Sequence, residues 1–545
     1  MILKLIKDKR FVLLLVCIIT FFVNNNVIEP DIMESRNLVT AREMVTDGNW
    51  IVPTMNGDIR LEKPPLPTWI AAVCEYISND NIVLQRSMSA IMASILVLFL
   101  YLIAVEIFKN KNIAFISSLL LCTCYNVILT GRTATWDIFC HSFMLGAIFF
   151  FIKAFKYNHT KYYILSGLFL GLSFMSKGPV AFYSLLLPFL ISFIIYKKTL
   201  IDSKPLYWKI ILLLLTFIIS GLWWYIFIYL NHYDDMTYVA NKESGSWINR
   251  NVRPWWYYWK FFLETGIWSV LLLISMSAVI WNKSKCKCKS KEYMFILVWL
   301  VLDLILLSLF PEKKSRYLFP ILIPSSYIMG WFTVNIWNKI EGVSKYLFMI
   351  NSWIINIILF SIPIIAYILF FDSLNISIFT FIILSLIIWF IVVYLIIQTI
   401  KLDSIKYIYG IVCLFMVVEC LVFPHLNAII NNPDMKSIKE SRKNEYLTNI
   451  PFYYNQDEEL RIETVYAAGK KIRPIDINDR ETIKKCSPFV LITHKPLNTY
   501  KEFDNLKDFK IRYIDTYDDN KRPKSNKYYR ETLVNNMNLI DNPNE

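Results

Sequence analysis

Residues 29–73 read EPDIMESRNLVTAREMVTDGNWIVPTMNGDIRLEKPPLPTWIAAV, and this polar stretch lies between two apolar runs, 11–28 and 86–107. A helix needs about 20 apolar residues to cross the hydrocarbon layer of a membrane. The two flanking runs have that length, so the stretch is predicted to be a loop between two membrane spans. Acidic and basic side chains are frequent in it, which makes it the first place to look for chemistry.

The composition supports a membrane protein. Of 545 residues, 56% are hydrophobic and only 18% are charged, whereas about a quarter of the residues of a soluble domain are charged. A water-soluble globule is therefore excluded. The net charge is +14, but the segment from His425 to the C-terminus holds 21 Lys and Arg against 19 Asp and Glu. Most of the excess thus lies in the apolar part, which favours membrane topology over nucleic-acid binding.

Apolar runs of spanning length recur along the first four-fifths of the chain. We count about thirteen, and they predict an α-helical polytopic membrane protein. Their approximate limits are 11–28, 86–107, 113–131, 136–155, 162–176, 179–196, 210–230, 260–281, 294–310, 318–336, 346–371, 376–399 and 407–424.

The orientation follows from the connecting loops, because Lys and Arg are enriched on the cytoplasmic side. The N-terminus is basic, and every second loop after it is basic too, so we predict a cytoplasmic N-terminus. These basic loops contain Lys109/Lys111, Lys153/Lys156/Lys161, Lys197/Lys198/Lys204/Lys209, Lys283 to Lys291, Lys339/Lys345 and Lys401/Lys406. The predicted location is the bacterial inner membrane, with the loop at 29–85 and the C-terminal part outside the cytoplasm.

Two domains are expected. Residues 1–424 are predicted to form the membrane domain, with interfacial helices near 34–46 and 66–78 inside the segment 29–85. Residues 425–545 are charged and Asn-rich, and they are predicted to form a small soluble extracytoplasmic α/β domain. Its strand-like runs are Thr464–Ala467, Phe489–Thr493 and Ile511–Thr516.

The first outer loop supplies three candidate site residues. Asp31 and Glu34 come directly after the first span, and Lys63 lies in the sequence Glu62-Lys63-Pro64-Pro65. Charges beside membrane spans are costly, so they are functional candidates. Alternative interpretations are structural: Glu34 as an acid favoured by a helix dipole, and Lys63 as a lysine that reaches to the interface.

Further candidates lie in later outer turns. Arg132 and Asp137 flank one turn, Lys177 lies in another, and Arg253 precedes the aromatic run Trp255–Trp259, which is more typical of an interfacial belt than of a substrate platform. The segment 311–317 adds Lys313, Lys314, Arg316 and Tyr317. Cations collected on the side of the membrane that is usually poor in them are what an anionic lipid headgroup needs.

These segments resemble a known family. The stretch MESRNLVTAREMVTDGNWIVPTMNGDIRLEKPPLPTWI is similar to the first outer loop of the aminoarabinose transferase and protein O-mannosyltransferase group of membrane glycosyltransferases. FMSKGPVAF resembles the Thr/Ser-Lys-Gly turn of that group, and KKSRYLFPILIP resembles its Lys…Tyr-hydrophobic-Leu-Pro segment. The number of spans and the position of the C-terminal domain agree as well. One departure is that the family's Asp-Glu pair corresponds to Met33-Glu34 here.

The resemblance implies a GT-C type inverting glycosyltransferase. Such an enzyme moves a sugar from a polyprenyl-phosphate carrier to an acceptor, here lipid A, another envelope glycan or a protein. Lys63 would contact the donor phosphate, together with Lys177, Arg253 and Arg316, and Tyr317 would contact the donor. Glu34, or Asp31 as a displaced substitute, would orient or deprotonate the acceptor. The supporting residues would be Asp137, Arg132, Lys313 and Lys314, with an Asp137–Arg132 structural pair as an alternative.

The sequence leaves other functions open. A transporter or lipid flippase would need ionisable residues deep in the spans and related halves, and an oligosaccharide ligase would share the outward site but not the EKPP loop. An adhesive role would leave the outer cations without a purpose. The account needs no cofactor, and the histidines are scattered over different segments, although a divalent ion on the outer carboxylates stays open.

Overall fold

In the computed structural model, the chain is a bundle of apolar helices joined to a small α/β region. The structure describes residues 8–200, 206–281, 290–374, 376–426, 432, 435–500 and 505–542, without the side chains of 197–200 and 372–374. The predicted basic loops around 201–205 and 282–289, and Lys4 and Lys7 of the N-terminus, lie outside this part. The fold is that of a multi-pass α-helical membrane protein, as predicted.

The helices follow the apolar pattern of the sequence. In chain order they are α1 (Lys9–Phe21), α2 (Ile32–Asp47), α3 (Leu66–Ile77), α4 (Ile82–Phe108), α5 (Lys111–Cys122), α6 (Tyr125–Gly131), α7 (Trp136–Tyr157), α8 (Thr160–Lys177), α9 (Leu187–Leu200), α10 (Tyr207–Gly221), α11 (Trp223–Asn231), α12 (Tyr233–Asn249), α13 (Ser269–Trp281), α14 (Lys291–Leu309), α15 (Leu322–Asn335), α16 (Val343–Leu374), α17 (Ile378–Ile400) and α18 (Ser404–Val417). Two 3₁₀ segments, Trp255–Trp268 and Ser315–Ile321, lead into α13 and α15.

Each of the thirteen predicted spans coincides with helical structure. Within the described residues, 8 helices are long and apolar enough to cross a membrane, or up to 10 if the bent pairs α5–α6 and α10–α11 each count as one span. Those pairs bend by 71° and 49°. The remaining three predicted spans correspond to α1, α8 and the Phe182–Tyr196 helix. Within the described residues, these helices are too short or too weakly apolar to be counted among those that could cross a membrane.

Small residues allow some of these helices to approach closely. A Cβ atom added to Gly171 of α8 would lie 2.0 Å from Ser220 Oγ and 2.9 Å from the backbone nitrogen of Gly221 in α10. Helices in a membrane associate by such close packing, because the lipid supplies no hydrophobic driving force between them. The Gly171–Gly221 contact therefore holds α8, and Lys177 at its end, against α10.

The loop at 29–85 contains helices at both positions where interfacial helices are predicted, while their place at the membrane interface stays a prediction. They appear as α2 and α3, and between them the strands β1 (Thr54–Met55) and β2 (Asp58–Ile59) form a hairpin. Asn56 and Gly57 occupy the turn with φ of 56° and 82°, as the Asn-Gly pair predicts. Helix α2 is buried on most of its surface, because it lies between the membrane helices and the C-terminal region.

The C-terminal region is a five-stranded mixed sheet with two short helices. Its strands are β3 (Phe452–Asn455), β4 (Ile472–Ile475), β5 (Phe489–Thr493), β6 (Lys510–Asp518) and β7 (Val534–Asp541), and its helices are α19 (Ile462–Ala468) and α20 (Arg480–Cys486). The strand order is β4-β3-β5-β7-β6, with β3 parallel to β4 and β5, and β7 antiparallel to β5 and β6.

Two of the three predicted strands are correct and one is wrong. Phe489–Thr493 and Ile511–Thr516 lie in β5 and β6, but Thr464–Ala467 belongs to helix α19. Gly469 ends that helix in the left-handed conformation, and packing of Val465 against β3 and α2 outweighs the β propensity of the run. The predicted domain boundary at 424/425 falls in the 3₁₀ segment Phe423–Leu426 and stays a prediction.

The C-terminal region contacts the first outer loop through specific bonds. Asn56 Nδ2 donates to the carbonyl oxygen of Ile472 at 2.7 Å, and Ile472 N donates to Asn56 Oδ1 at 2.8 Å. Asp80 accepts from Arg42 of α2 at 2.6 Å and from Arg442 at 2.7 Å. These contacts attach the sheet to the same loop that carries Asp31, Glu34 and Lys63.

Candidate active site

Most of the predicted donor-site cations come together at one cavity of about 250 Å³. We call it the cation cavity. Its basic lining residues are Arg36, Lys63, Lys177, Arg250, Lys314 and Arg316, and its acidic ones are Glu62, Glu243 and Glu312. Six cations against three acids leave an excess of positive charge. The cavity therefore has the electrostatics of a site for an anion.

Local structure places each of these cations. Lys177 is the last residue of α8, and Gly178 after it has a φ of +66°, a conformation that side chains other than glycine rarely adopt. Lys63 precedes Pro64 and Pro65, which lead into α3. Arg316 belongs to the 3₁₀ turn Ser315–Ile321. Three turns that are far apart in sequence thus each contribute a cation to the lining of the cavity.

Lys63 is bound on one side by a carboxylate. Its Nζ donates to Glu243 Oε2 at 3.3 Å. Burial lowers the pKa of Lys63, Glu243 opposes that shift, and the positive charge of Lys177 adds to it. The ammonium therefore lies where an additional negative charge, such as a phosphate, is favourable.

Lys177 and Lys314 also have carboxylate partners. Lys177 Nζ donates to Asp137 Oδ1, and Lys314 Nζ donates to Glu312 Oε1. Tyr317 lies among them: its ring centroid is 5.7 Å from Lys177 Nζ and 5.5 Å from Arg316 Cζ. Arg316 Nε and Arg36 Nε are buried and have no hydrogen-bond partner in the described part of the chain. Buried donors of this kind are normally satisfied, so they point to an anionic ligand.

The rest of the wall of the cation cavity is apolar or aromatic. It includes Val180, Tyr183, Tyr225, Val239 and Phe310. A ligand that has both a charged group and an apolar body fits this lining, because the lining offers cations as well as apolar side chains.

A second cavity, of about 320 Å³, adjoins the first. We call it the carboxylate cavity, because Glu29, Asp31, Glu34 and Asp137 line it. Met33 and Arg316 line both cavities. Two ligands bound in the two cavities would therefore meet beside Arg316.

Glu34 is fully engaged inside this second cavity. Arg86 Nε and Nη2 donate to its two oxygens, each at 2.7 Å, and Ala134 N donates to Oε1 at 2.8 Å. Glu34 is 1% exposed and Arg86 is 2% exposed. Such a buried, two-point ion pair fixes the start of α2 against α4.

Asp31 is the N-cap of α2. Its Oδ1 accepts from Met33 N at 2.9 Å and from Glu34 N at 2.8 Å, while the residue itself is exposed at the cavity surface. No hydrogen bond to Asp31 Oδ2 is found in the described residues. Of the two predicted acids, Asp31 is thus the one whose carboxylate reaches solvent.

The ion-pair partners of Asp137 and Arg132 show whether these two residues pair with each other. Asp137 pairs with Lys177, and Arg132 pairs with Glu419 and donates to the carbonyl oxygen of Thr20 at 2.6 Å. The Asp137–Arg132 pair is therefore not formed, although both residues line the carboxylate cavity. Asp137 holds Lys177 at the border between the two cavities.

Two predicted residues do not line either cavity. Arg253 N donates to the carbonyl oxygen of Pro311 at 3.2 Å, which pairs the loop near 252 with the segment 311–317. Lys313 Nζ donates to the carbonyl oxygen of Phe310 and lies 6.0 Å from the ring of Tyr258. These contacts support the loop that carries Lys314 and Arg316. A direct donor contact of Arg253 stays a prediction.

Sequence reasoning missed three residues of this site. Arg36 lies inside the quoted MESR sequence, and Arg86 is a cation at the outer end of a predicted span, so both carried a signal. Lys521 lines the carboxylate cavity from the C-terminal region. It comes from a run of several lysines, and nothing in the sequence distinguishes it from its neighbours.

The sequence left open whether carboxylates of the site hold a divalent ion. Within the described residues, no group of three or more His, Cys, Asp or Glu side chains could hold a metal ion.

Comparisons with known proteins agree with the expected resemblance. Residues 62–224 match the family described as dolichyl-phosphate-mannose-protein mannosyltransferase. The chain is 28% identical over 346 residues to an undecaprenyl phosphate-alpha-4-amino-4-deoxy-L-arabinose arabinosyl transferase of Photorhabdus laumondii, a match that covers 60% of each chain. An arabinosyl transferase of the same description from Proteus mirabilis is 26% identical, over 57% of this chain and 56% of the relative.

The fold agrees over a longer range than the sequence. The crystal structure of ArnT from Cupriavidus metallidurans bound to undecaprenyl phosphate superposes with a TM-score of 0.69 at 12% identity, covering 97% of both chains. The sequence matches span less than two thirds of the length of the curated relatives. The resemblance to the aminoarabinose transferase and protein O-mannosyltransferase group is therefore confirmed, in sequence over part of the chain and in the GT-C type fold over nearly all of it.

Proposed function

We propose that this chain is an inverting membrane glycosyltransferase that uses a sugar linked to a polyprenyl phosphate. The observation that carries the proposal is the cation cavity, where Lys63, Lys177 and Arg316 from three separate turns line one space. The relatives described above are named as undecaprenyl phosphate aminoarabinose transferases, which suggests undecaprenyl phosphate as the carrier. The sugar and the acceptor are to be identified by experiment.

The proposed roles follow from the chemistry of the leaving group. When the acceptor oxygen attacks the anomeric carbon, the bond from that carbon to the phosphate oxygen breaks, and its electron pair remains on the phosphate. The leaving group is a stable anion that needs no proton. Fixed cations that stabilise its growing charge are the main requirement, and Lys63, Lys177 and Arg316 would supply them.

The apolar wall of the cation cavity supports a lipid donor. Val180, Tyr183 and Tyr225 lie beside the cations, so an isoprenoid chain would leave the phosphate along this wall toward the membrane. Tyr317 would contact the donor between Lys177 and Arg316. Lys314 would act with them, held by Glu312.

The carboxylate cavity is proposed to bind the acceptor. Asp31 would orient an acceptor hydroxyl and take its proton, a contribution of about 10²–10⁴-fold in rate. An acceptor phosphate is already ionised, and Asp31 would then only position it. Because Arg316 lines both cavities, a donor in one and an acceptor in the other would meet beside this residue. Inversion would require the acceptor oxygen to attack the anomeric carbon from the side opposite the leaving phosphate.

The location is proposed from the charge pattern. A cytoplasmic N-terminus would place both cavities at the outer face of the bacterial inner membrane, with the acceptor being lipid A, another envelope glycan or a protein. Cysteine labelling tests this orientation. In the variant Lys524→Cys, the new thiol at this exposed position should react with a membrane-impermeant reagent in intact spheroplasts. Labelling only after lysis would overturn the orientation.

The function is tested by mass spectrometry of lipid A and other glycolipids from a deletion strain. The strain is complemented with the wild-type chain or with Lys63→Ala, and the amount of protein is measured in each case. Loss of one glycoform that only the wild-type chain restores would support the proposal. Two results together would contradict the proposal for that donor and acceptor. They are an unchanged glycolipid profile in the deletion strain, and no sugar transfer in a reconstituted assay with undecaprenyl phosphate-linked aminoarabinose and lipid A.

A further inference from the structure

One lysine of the C-terminal region lies at the candidate acceptor site. Lys521 Nζ donates to the carbonyl oxygens of Glu29 and Pro30, at 2.8 Å and 3.1 Å. These two residues directly precede Asp31, the N-cap of α2. An ammonium group has three N–H donors, and these two bonds use only two of them.

Lys521 lies where two openings join. It lines the carboxylate cavity, and it also lines a cleft of about 320 Å³ between α2 and the C-terminal sheet, which we call the C-terminal cleft. Glu29 and Asp31 are shared by both as well. The cleft therefore leads from the surface of the C-terminal region to Asp31, and Lys521 stands at the junction.

The C-terminal cleft carries more positive than negative side chains. Its basic residues are Lys439, Arg461, Lys521, Arg522 and Arg530, and its acidic residues are Glu29, Asp31, Glu463 and Asp519. Arg461 is paired with Glu463 at 3.0 Å. Burial raises the pKa of Asp519 to about 6, so this carboxyl is still mostly ionised at neutral pH. The remaining balance favours an anionic ligand.

Buried donors in the adjoining cavity support the same conclusion. Arg132 is 5% exposed, lines the carboxylate cavity, and its Nη1 has no hydrogen-bond partner in the described part of the chain. Arg316 also lines the carboxylate cavity, and its Nε is in the same situation. A ligand with anionic oxygens would satisfy both donors together with the third N–H of Lys521.

We propose that Lys521 is an acceptor-binding residue, which the C-terminal region supplies to bind an anionic group of the acceptor beside Asp31. The proposed ligand class is a glycolipid or saccharide that carries phosphate or carboxylate. This inference rests on the function proposed above and assigns a role to the C-terminal region: it supplies the lysine that binds the two carbonyl oxygens directly before Asp31. Lys521 would thus determine which acceptors are used, while Lys63 and Lys177 determine donor binding.

The test measures binding of two lipids to the full-length protein in nanodiscs. The acceptor probe is lipid A with both phosphates, compared with the same lipid after removal of the phosphates, and the donor-site probe is undecaprenyl phosphate. The variants are Lys521→Met, which keeps the apolar stem of the side chain, Lys521→Arg, which keeps the charge, and Lys63→Ala. The exposed Lys524→Ala, three residues away, is the matched control.

We expect Lys521→Met to weaken binding of phosphorylated lipid A about tenfold or more, because a charge-assisted hydrogen bond is lost. Binding of undecaprenyl phosphate should stay within about twofold of wild type. Lys521→Arg should retain most of the lipid A affinity, Lys524→Ala should match wild type, and Lys63→Ala should show the reverse pattern. Competition by inorganic phosphate would show that the anion alone is recognised, whereas no competition would assign recognition to the lipid headgroup.

Three results would overturn the proposal. They are equal binding of lipid A by Lys521→Met and wild type, equal loss of both lipids in that variant, and failure of wild type to prefer phosphorylated lipid A. These outcomes are independent of the proposed function, which is measured by sugar transfer. Transfer that persists with normal acceptor affinity in Lys521→Met would refute the role of Lys521 alone.

Discussion

Arg86 and Glu34 form a two-point ion pair, Nε to Oε1 and Nη2 to Oε2, with both distances at 2.7 Å and both side chains buried. The pair joins the start of α2 to the start of α4, and Arg86 also donates to the carbonyl oxygens of Asn25 and Ile28. It therefore fixes the segment that connects α1 to α2. Glu34 is engaged by this contact, which leaves Asp31 as the acid proposed to act on the acceptor.

Replacing Glu34 by Gln should destabilise the protein. Arg86 would keep a buried charge without its counterion, and breaking such a pair costs about 3–5 kcal/mol. Thermal unfolding of the detergent-purified variant should show a clearly lower midpoint and a lower yield of folded protein. A variant in which both members are apolar, Glu34→Leu with Arg86→Met, should recover part of the loss. Wild-type stability with abolished turnover in Glu34→Gln would instead make Glu34 the catalytic base.

Replacing Asp31 by Asn should affect activity and not stability. Asn is as good an N-cap as Asp, so α2 keeps its first-turn hydrogen bonds. If the acceptor is a hydroxyl, kcat should fall by about 10²–10⁴-fold, because the amide cannot take a proton. The measurement is sugar transfer per folded molecule beside the thermal midpoint. Full activity of Asp31→Asn with a hydroxyl acceptor would exclude Asp31 as the base.

Replacing Lys63 by Ala should weaken donor binding and slow transfer. The lysine faces the cation cavity, so its loss removes a contact to the phosphate that strengthens as the charge develops, and kcat/KM for the donor should fall by about 10²-fold. Lys242 offers a matched control, because it is mostly exposed but pairs with Glu62 at 3.2 Å between the same loop and the same helix, α12, as the Lys63–Glu243 pair. Lys242→Ala should change kcat/KM less than about threefold. Equal effects of the two substitutions would argue against a phosphate contact of Lys63.

The pH dependence should reveal the environment of Lys63. A lysine is charged below its pKa, and burial lowers the pKa of Lys63, so it loses its charge at a lower pH than an exposed lysine does. The alkaline limb of kcat/KM should therefore begin below the range of an ordinary lysine. Lys63→Arg should move that limb upward, because guanidinium stays charged. A limb that is unchanged in Lys63→Arg would assign the titration to another group.

Replacing Gly178 by Ala should displace Lys177. The φ of +66° is unfavourable for alanine, and the added Cβ would lie 3.2 Å from Tyr225 Oη, so about 1–2 kcal/mol of stability should be lost. Donor affinity should fall with it, because Lys177 is the preceding residue. Gly245 provides the control: it lies in helix α12 with no atom within 4 Å of an added Cβ, and Gly245→Ala should leave both quantities near wild type. Unchanged donor affinity in Gly178→Ala would show that the turn does not position Lys177.

Much of the fold could be predicted because it depends on one-dimensional patterns. Apolar runs of spanning length gave the positions of the membrane helices, and Asn56-Gly57 gave the hairpin turn. The run Thr464–Ala467 failed, because its β propensity is weaker than the packing of α19 between the sheet and α2. The strand β7, with its many Asn residues, carried too little alternating hydrophobicity to be recognised before its pairing with β5 was known.

The candidate site, like the fold, could be predicted only in part. The sequence by itself determined a membrane protein and singled out the cations Lys63, Lys177 and Arg316, because the cost of placing charge beside lipid makes such residues visible in any apolar chain. The side of the membrane on which they lie stays a prediction. Only the tertiary structure decided which cation pairs with each carboxylate. Glu34 pairs with Arg86, and Asp137 pairs with Lys177 rather than with Arg132. Ion pairs and cavities join residues that are tens to hundreds of positions apart, and their partners depend on helix packing, which local sequence does not encode. For that reason Lys521, 490 positions after Asp31, could be recognised at the site only in three dimensions.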